Sequence, residues 1–137
     1  MPRRIGENVR NELIIPKDPI SGTRICLYYR LPTTEERQAY FSGWFDRDKD
    51  RVRVRIVEAR QEHGLRILEG FSDDSFERWD SVEKKWKPVS SDPGSPDFYP
   101  EWREWIKGSP DLIEALASHA FESLETVASQ EDLTEKN

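Results

Sequence analysis

Arg51-Val52-Arg53-Val54-Arg55-Ile56-Val57-Glu58-Ala59-Arg60-Gln61-Glu62-His63-Gly64 is the stretch on which the fold turns. Its first six residues alternate strictly between arginine and an aliphatic side chain, the period of a strand. The same stretch sets Val52, Ile56, Ala59 and His63 at helical spacing, and Glu58 to Glu62 are good helix formers. Gly64 then suits the position just past a helix end. On balance the pattern predicts a helix over about 47–63, stopped by Gly64. A strand in its place would line Arg51, Arg53 and Arg55 along one face of a sheet.

Toward the N-terminus, Asp46-Arg47-Asp48-Lys49-Asp50 reads as a charged turn. Its alternating aspartates open like an EF-hand loop. The sharp-turn glycine is replaced by Arg51, however, and the bidentate carboxylate by Val57, so no metal site is expected. Thr33 and Glu36 have capping-box spacing, and Arg37, Tyr40, Phe41 and Trp44 follow on one helical face. That predicts a helix fraying near Gly43. Pro32 stops a β-rich run, Arg24 to Arg30. Before it, Val9, Asn11, Leu13 and Ile15 share one parity, and the turn residues from Pro16 to Gly22 lie between the two. Together they predict an N-terminal β-hairpin with a six- or seven-residue connection. Cys26 then lies mid-strand as a buried, inert thiol. Residues 1–7 read as a loose arm.

Toward the C-terminus, Leu65 to Leu68 forms a third short strand near 65–69 or continues the helix. Phe76, Trp79, Val82 and Trp86 are spaced by three, three and four, which predicts a helix across 71–86 with Ser72 or Asp73 as its N-cap. Residues 87–97, with three prolines and three serines, are a loop. A short helix is expected over 99–107. A longer one starts at Ser109-Pro110-Asp111 and carries the stripe Ile113, Leu116, Ala117, Ala120, Phe121, Leu124 and Val127. The sum is a single α+β domain over 1–128. In it the N-terminal hairpin, with a possible third strand, packs against four or five helices, and 129–137 form a disordered tail.

The chain has 137 residues, 35% hydrophobic and 35% charged, with 15 aromatics, five of them tryptophan. Disordered chains are poor in aromatics, so a folded domain is expected, with a core that leans on large rings. No apolar run approaches the ~20 residues of a membrane span, and no apolar signal stretch follows Met1. One cysteine closes no disulfide within the chain, and a cytoplasmic protein is expected. The net charge of -6 is uneven. Residues 1–66 carry 14 basic and 10 acidic residues, and residues 67–137 carry 7 and 17. Such a dipolar chain steers toward charged partners or associates head to tail.

Catalytic equipment is sparse. His63 and His119 lack partners at metal-ligand spacing, Cys26 has no histidine beside it, and no phosphate-binding glycine loop or nucleophile elbow occurs. A surface setting is expected for His63. Neither cofactor nor enzymatic activity is expected. The aromatics are the stronger signal. Trp102 and Trp105 lie three apart on a short helix, and with Trp44 they are candidate anchors for a protein partner. The alternative is nucleic-acid association through Arg51, Arg53 and Arg55, with nearby aromatics for stacking. The interleaved acids nearly cancel that charge.

The order of a strand, Ser21-Gly22-Thr23, a strand ending Tyr29-Arg30-Leu31-Pro32-Thr33 and a helix with Glu35-Glu36 resembles the start of small tail-assembly proteins of bacteriophages and prophages. The likeness covers residues 9–45 and, loosely, 98–128. It implies a non-enzymatic adaptor or chaperone that holds another phage protein before assembly. It carries over no individual site residue.

Overall fold

The computed structural model describes residues 11–48 and 51–122. The expected loose arm, Val9, Asp50, the stripe positions Leu124 and Val127 and the expected tail lie outside the described residues. Among those described, four helices accompany seven strands in three separate antiparallel sheets. The expectation of one hairpin against four or five helices is therefore overturned. One segment predicted as helix, and the first part of another, are hairpins instead.

The largest sheet has the order β1 (Asn11–Ile15), β2 (Ile25–Tyr29), β5 (Leu68–Phe71). Ile15 pairs with Ile25 and Asn11 with Tyr29. Leu13 and Ile15 pack on the core while Glu12 and Ile14 stay exposed, as the parity of β1 requires. The connection is longer than expected because Asp18 builds a turn within it. Its carboxylate accepts the Ser21 N–H and hydroxyl, each at 2.9 Å, and Gly22 takes φ 72°. The third strand exists but starts at Leu68, because the preceding helix runs on to Ile67. Cys26 is buried on central β2. Its N–H donates to the Ser75 hydroxyl at 3.0 Å, and its carbonyl accepts the Ser72 N–H at 3.0 Å. Burial pushes the thiol pKa up, which keeps it protonated and inert.

Helix α1 (Thr34–Ser42) has the capping box its sequence spells: Glu36 N–H to Thr33 Oγ1 and Thr33 N–H to Glu36 Oε1, both 3.1 Å. Arg30 grips the same carboxylate through two guanidinium nitrogens, at 2.6 and 2.8 Å. The strand end and the helix start are thus locked together.

The predicted helix over 47–63 divides. β3 (Phe45–Asp48) and β4 (Arg51–Val54) form a hairpin, and α2 runs over Ile56–Ile67. Arg55, at φ -128° and ψ 40°, is the break between them. The alternation prevails as far as Val54, and the helix takes over from Ile56. Gly64 does not stop α2. A Cβ there would lie 2.5 Å from the Ile113 carbonyl oxygen and 3.2 Å from the Ala117 Cβ. The glycine instead lets α2 press against α4 (Pro110–Glu122).

The predicted helix over 71–86 is also a hairpin, of β6 (Glu77–Asp80) and β7 (Lys85–Pro88), with Trp79 opposite Trp86. Asp80 nucleates its turn by accepting the N–H groups of Val82 at 2.9 Å and Glu83 at 3.2 Å, and Lys84 adopts φ 53°. The helical spacing of the aromatics is a coincidence of the turn length. Helix α3 (Trp102–Ile106) is tied to the end of α2 by Arg103, whose guanidinium donates to the carbonyls of Leu65 and Leu68. One buried cluster unites β2, β5, α2, α3 and α4 around Leu27, Ile67, Phe71, Ile106, Leu116 and Phe121.

Candidate functional site

The three anchor tryptophans fall in different settings. Trp102 is only 8% exposed. Its ring meets Phe71 edge-on at 5.7 Å, and the Arg103 guanidinium lies 4.8 Å over it. It is a core residue, so its proposed anchoring role is withdrawn. Trp44 is half-buried against Tyr40 and Phe41. Its indole N–H is buried and closes no hydrogen bond. Trp105 is half-buried and stands in the wall of a groove.

The groove encloses about 650 Å³ between the Asp18–Thr23 turn, the start of β6 and the start of α4. Ile20, Phe76, Trp86, Trp105 and Leu112 supply its apolar surface. Phe76 and Trp105 meet at 5.7 Å with ring planes 87° apart, which fixes both. Trp86 is 61% exposed and Trp79, its cross-strand neighbour at 5.6 Å, 51%. The hairpin register explains that exposure. Glu77, Trp79, Trp86 and Pro88 share one face, while Arg78 and Lys87 share the other with Asp80. Arg78 lies 4.9 Å over the Tyr99 ring, which turns the tryptophan face outward.

The charged lining of the groove is wholly acidic: Asp18, Asp74, Glu77 and Asp111. Asp18 spends its carboxylate on the Ser21 turn. Asp74 accepts the Ser72 hydroxyl at 2.6 Å, and that bond holds its carboxyl below the ordinary range, with Arg24 adding a smaller pull from nearby. Asp111 sits in the first turn of α4, where the helix dipole favours a negative charge. An aromatic floor with an acidic rim suits a partner that offers apolar side chains beside a cation.

The arginines of the alternative reading occupy the β3–β4 hairpin. Arg51 and Arg53 are exposed on β4, and Arg55 lies 3.8 Å from Asp46. By register Arg53 stands opposite Asp46 and Arg51 opposite Asp48. The other face carries Phe45, Val52 and Val54 in the open, with Arg47 among them.

The titratable groups are scattered. His63, expected at the surface, is 5% exposed on the inner side of α2. The rings of Tyr40 and Phe121 stand edge-on to it at 5.5 and 6.0 Å, and burial lowers its pKa. His119 packs edge-on against Tyr29 at 5.7 Å. Cys26 is covered by the Ser72–Ser75 turn, apart from both. Beneath α1 the Glu122 carboxylate accepts from the Tyr40 hydroxyl and, at 2.9 and 2.8 Å, from the Arg60 guanidinium. These bonds tie α1, α2 and α4 together. Among the described residues no group of three His, Cys, Asp or Glu side chains is placed to hold a metal, and no helix is long and apolar enough to cross a membrane. A second, polar cavity of about 330 Å³ lies beside Glu69, Asp73 and Asp92.

No family model, no curated protein and no solved structure matches this chain.

Sequence reasoning found Trp105 but missed Phe76, Trp86 and Ile20. The signal for Trp86 was present. Lys85-Trp86-Lys87-Pro88 alternates, and the largely polar run Asp80-Ser81-Val82-Glu83-Lys84 before it offers a turn. Ile20 had no signal, since an exposed aliphatic in a turn carries none.

Proposed function

We propose that the chain is a non-enzymatic binding domain that takes another protein in the groove walled by Trp86 and Trp105. The observation that carries this reading is the union, in one cavity of about 650 Å³, of the exposed Trp86 ring and the half-buried Phe76 and Trp105 rings with four carboxylates and no lining cation. Exposing a tryptophan costs apolar burial that a polar chain can ill spare, and half-exposed aromatics in a pocket are what interfaces use as anchors. The separate settings of Cys26, His63 and His119 favour binding over catalysis. An adaptor or chaperone that holds a phage protein before tail assembly is the role suggested by the hairpin and capped helix. The cytoplasm is its compartment, where a lone thiol stays reduced.

Nucleic-acid binding through Arg51, Arg53 and Arg55 is the less favoured reading. Asp46 and Asp48 stand opposite Arg53 and Arg51, and phosphate-driven affinity needs net positive density. The two readings separate in one experiment. Tagged full-length chain and its Trp86→Ala/Trp105→Ala variant are used to capture partners from cells, with quantitative mass spectrometry as readout. Binding to a labelled oligonucleotide at low salt is measured in parallel. A protein captured by the wild type and lost at least tenfold in the variant is the expected result. Salt-sensitive oligonucleotide binding, with the same proteins captured by both forms, would replace this reading with the other.

A further inference from the structure

We infer that the groove takes the β3–β4 hairpin of a second copy of this chain, so that copies associate head to tail. The inference rests on the groove being a protein-binding site and names its occupant.

The hairpin has the chemistry the groove lacks. Its outer face exposes Phe45, Val52 and Val54 at 58, 62 and 59%, and Phe45 and Val54 form a direct cross-strand pair. Arg47 lies on that same face, opposite Val52. A two-stranded ribbon with one bare apolar face is marginal in water, so covering that face is favourable. A cavity of about 650 Å³ accepts a few side chains, not a strand. The Phe45–Val54 pair would enter over Trp86 and Trp105, and Arg47 would meet Glu77 and Asp74 at the rim.

Geometry forbids the match within one chain. α2 and α4 run antiparallel: Gly64 lies against Ile113, and Arg60 holds Glu122. The hairpin leads into the start of α2, beside the end of α4. The groove includes Asp111 and Leu112, at the start of α4. The length of α4 separates them, about 18 Å for its run of residues. Two different surfaces at opposite ends make a heterologous contact, which grows into chains or rings instead of closing as a twofold dimer.

The test uses full-length protein and light scattering after size exclusion. Wild type at about 20 mM salt should grow in mass with concentration, beyond a dimer, and shrink at about 500 mM salt. A groove variant, Asp74→Lys/Glu77→Lys, and a hairpin variant, Phe45→Ser/Val52→Asn, change exposed residues only. Each should be monomeric alone, with unchanged circular dichroism. Their equimolar mixture should form a dimer and nothing larger, because one groove and one hairpin remain intact. A wild type that stays monomeric at low salt overturns the inference, as do variants that still assemble alone or a mixture that forms no dimer. Failure here with tryptophan-dependent capture of another protein would remove the second copy and leave the binding groove standing.

Discussion

Tyr40 shows how one residue joins the elements of this fold. It is fully buried, stacks on Phe121 at 4.3 Å and donates its hydroxyl proton to Glu122, which Arg60 also holds. Burial, then the Glu122 hydrogen bond and charge, push the phenol pKa from 10 to about 12. The folded value lies above the unfolded one. The stability this group contributes is therefore intact below pH 10 and lost as pH rises through 12. The phenolate absorbance of wild type minus Tyr40→Phe should titrate near pH 12, and a midpoint near 10 would deny the burial. Tyr40 was legible in sequence as one of a helical face. Its partners 20 and more residues away were not, because charge pairing across a fold leaves no periodic trace.

At the scale of elements, legibility followed the strength of the local signal. The capping box of α1 and the stripe of α4 from Ile113 to Phe121 read correctly because each is set by chemistry within one or two turns of chain. The two hairpins were missed because a four-residue turn can place aromatics at helical spacing, and because six alternating residues compete with a helix-forming run beside them. Gly64 was misread for a related reason: a glycine near a helix end and a glycine at a helix crossing look alike in sequence. The crossing makes a firm prediction. Gly64→Ala gains about 1 kcal/mol in helix propensity. It must also force the Ile113 backbone away from a 2.5 Å contact, at about 3 kcal/mol. A net loss of about 2 kcal/mol is expected in urea denaturation. A stabilised variant would mean that α2 and α4 do not meet closely at Gly64.

At the scale of the molecule, the uneven charge of the sequence becomes a polarity of surfaces. The acidic second half contributes Asp74, Glu77 and Asp111 to the groove, and the hairpin at the far end of α4 presents Arg47 beside the exposed Phe45, Val52 and Val54. In the proposed association such surfaces would set orientation and encounter rate, while the rings covered on binding would supply affinity. The aromatic richness that the composition announced thus divides. Tyr40, Phe71, Trp102 and Phe121 build the core, and Trp79 and Trp86 remain outside it. The division was not legible in sequence, since burial of a ring is decided by which hairpin face turns outward.

Site-specific photocrosslinking in cells addresses the groove most directly. A benzophenone amino acid at Ile20, an 85% exposed groove residue, or at Trp86 should yield a covalent adduct with a protein chain. The same group at Ala115, on the exposed side of α4, should yield none. Adducts from Ala115 alone, with none from Ile20 or Trp86, would contradict the groove as the binding surface.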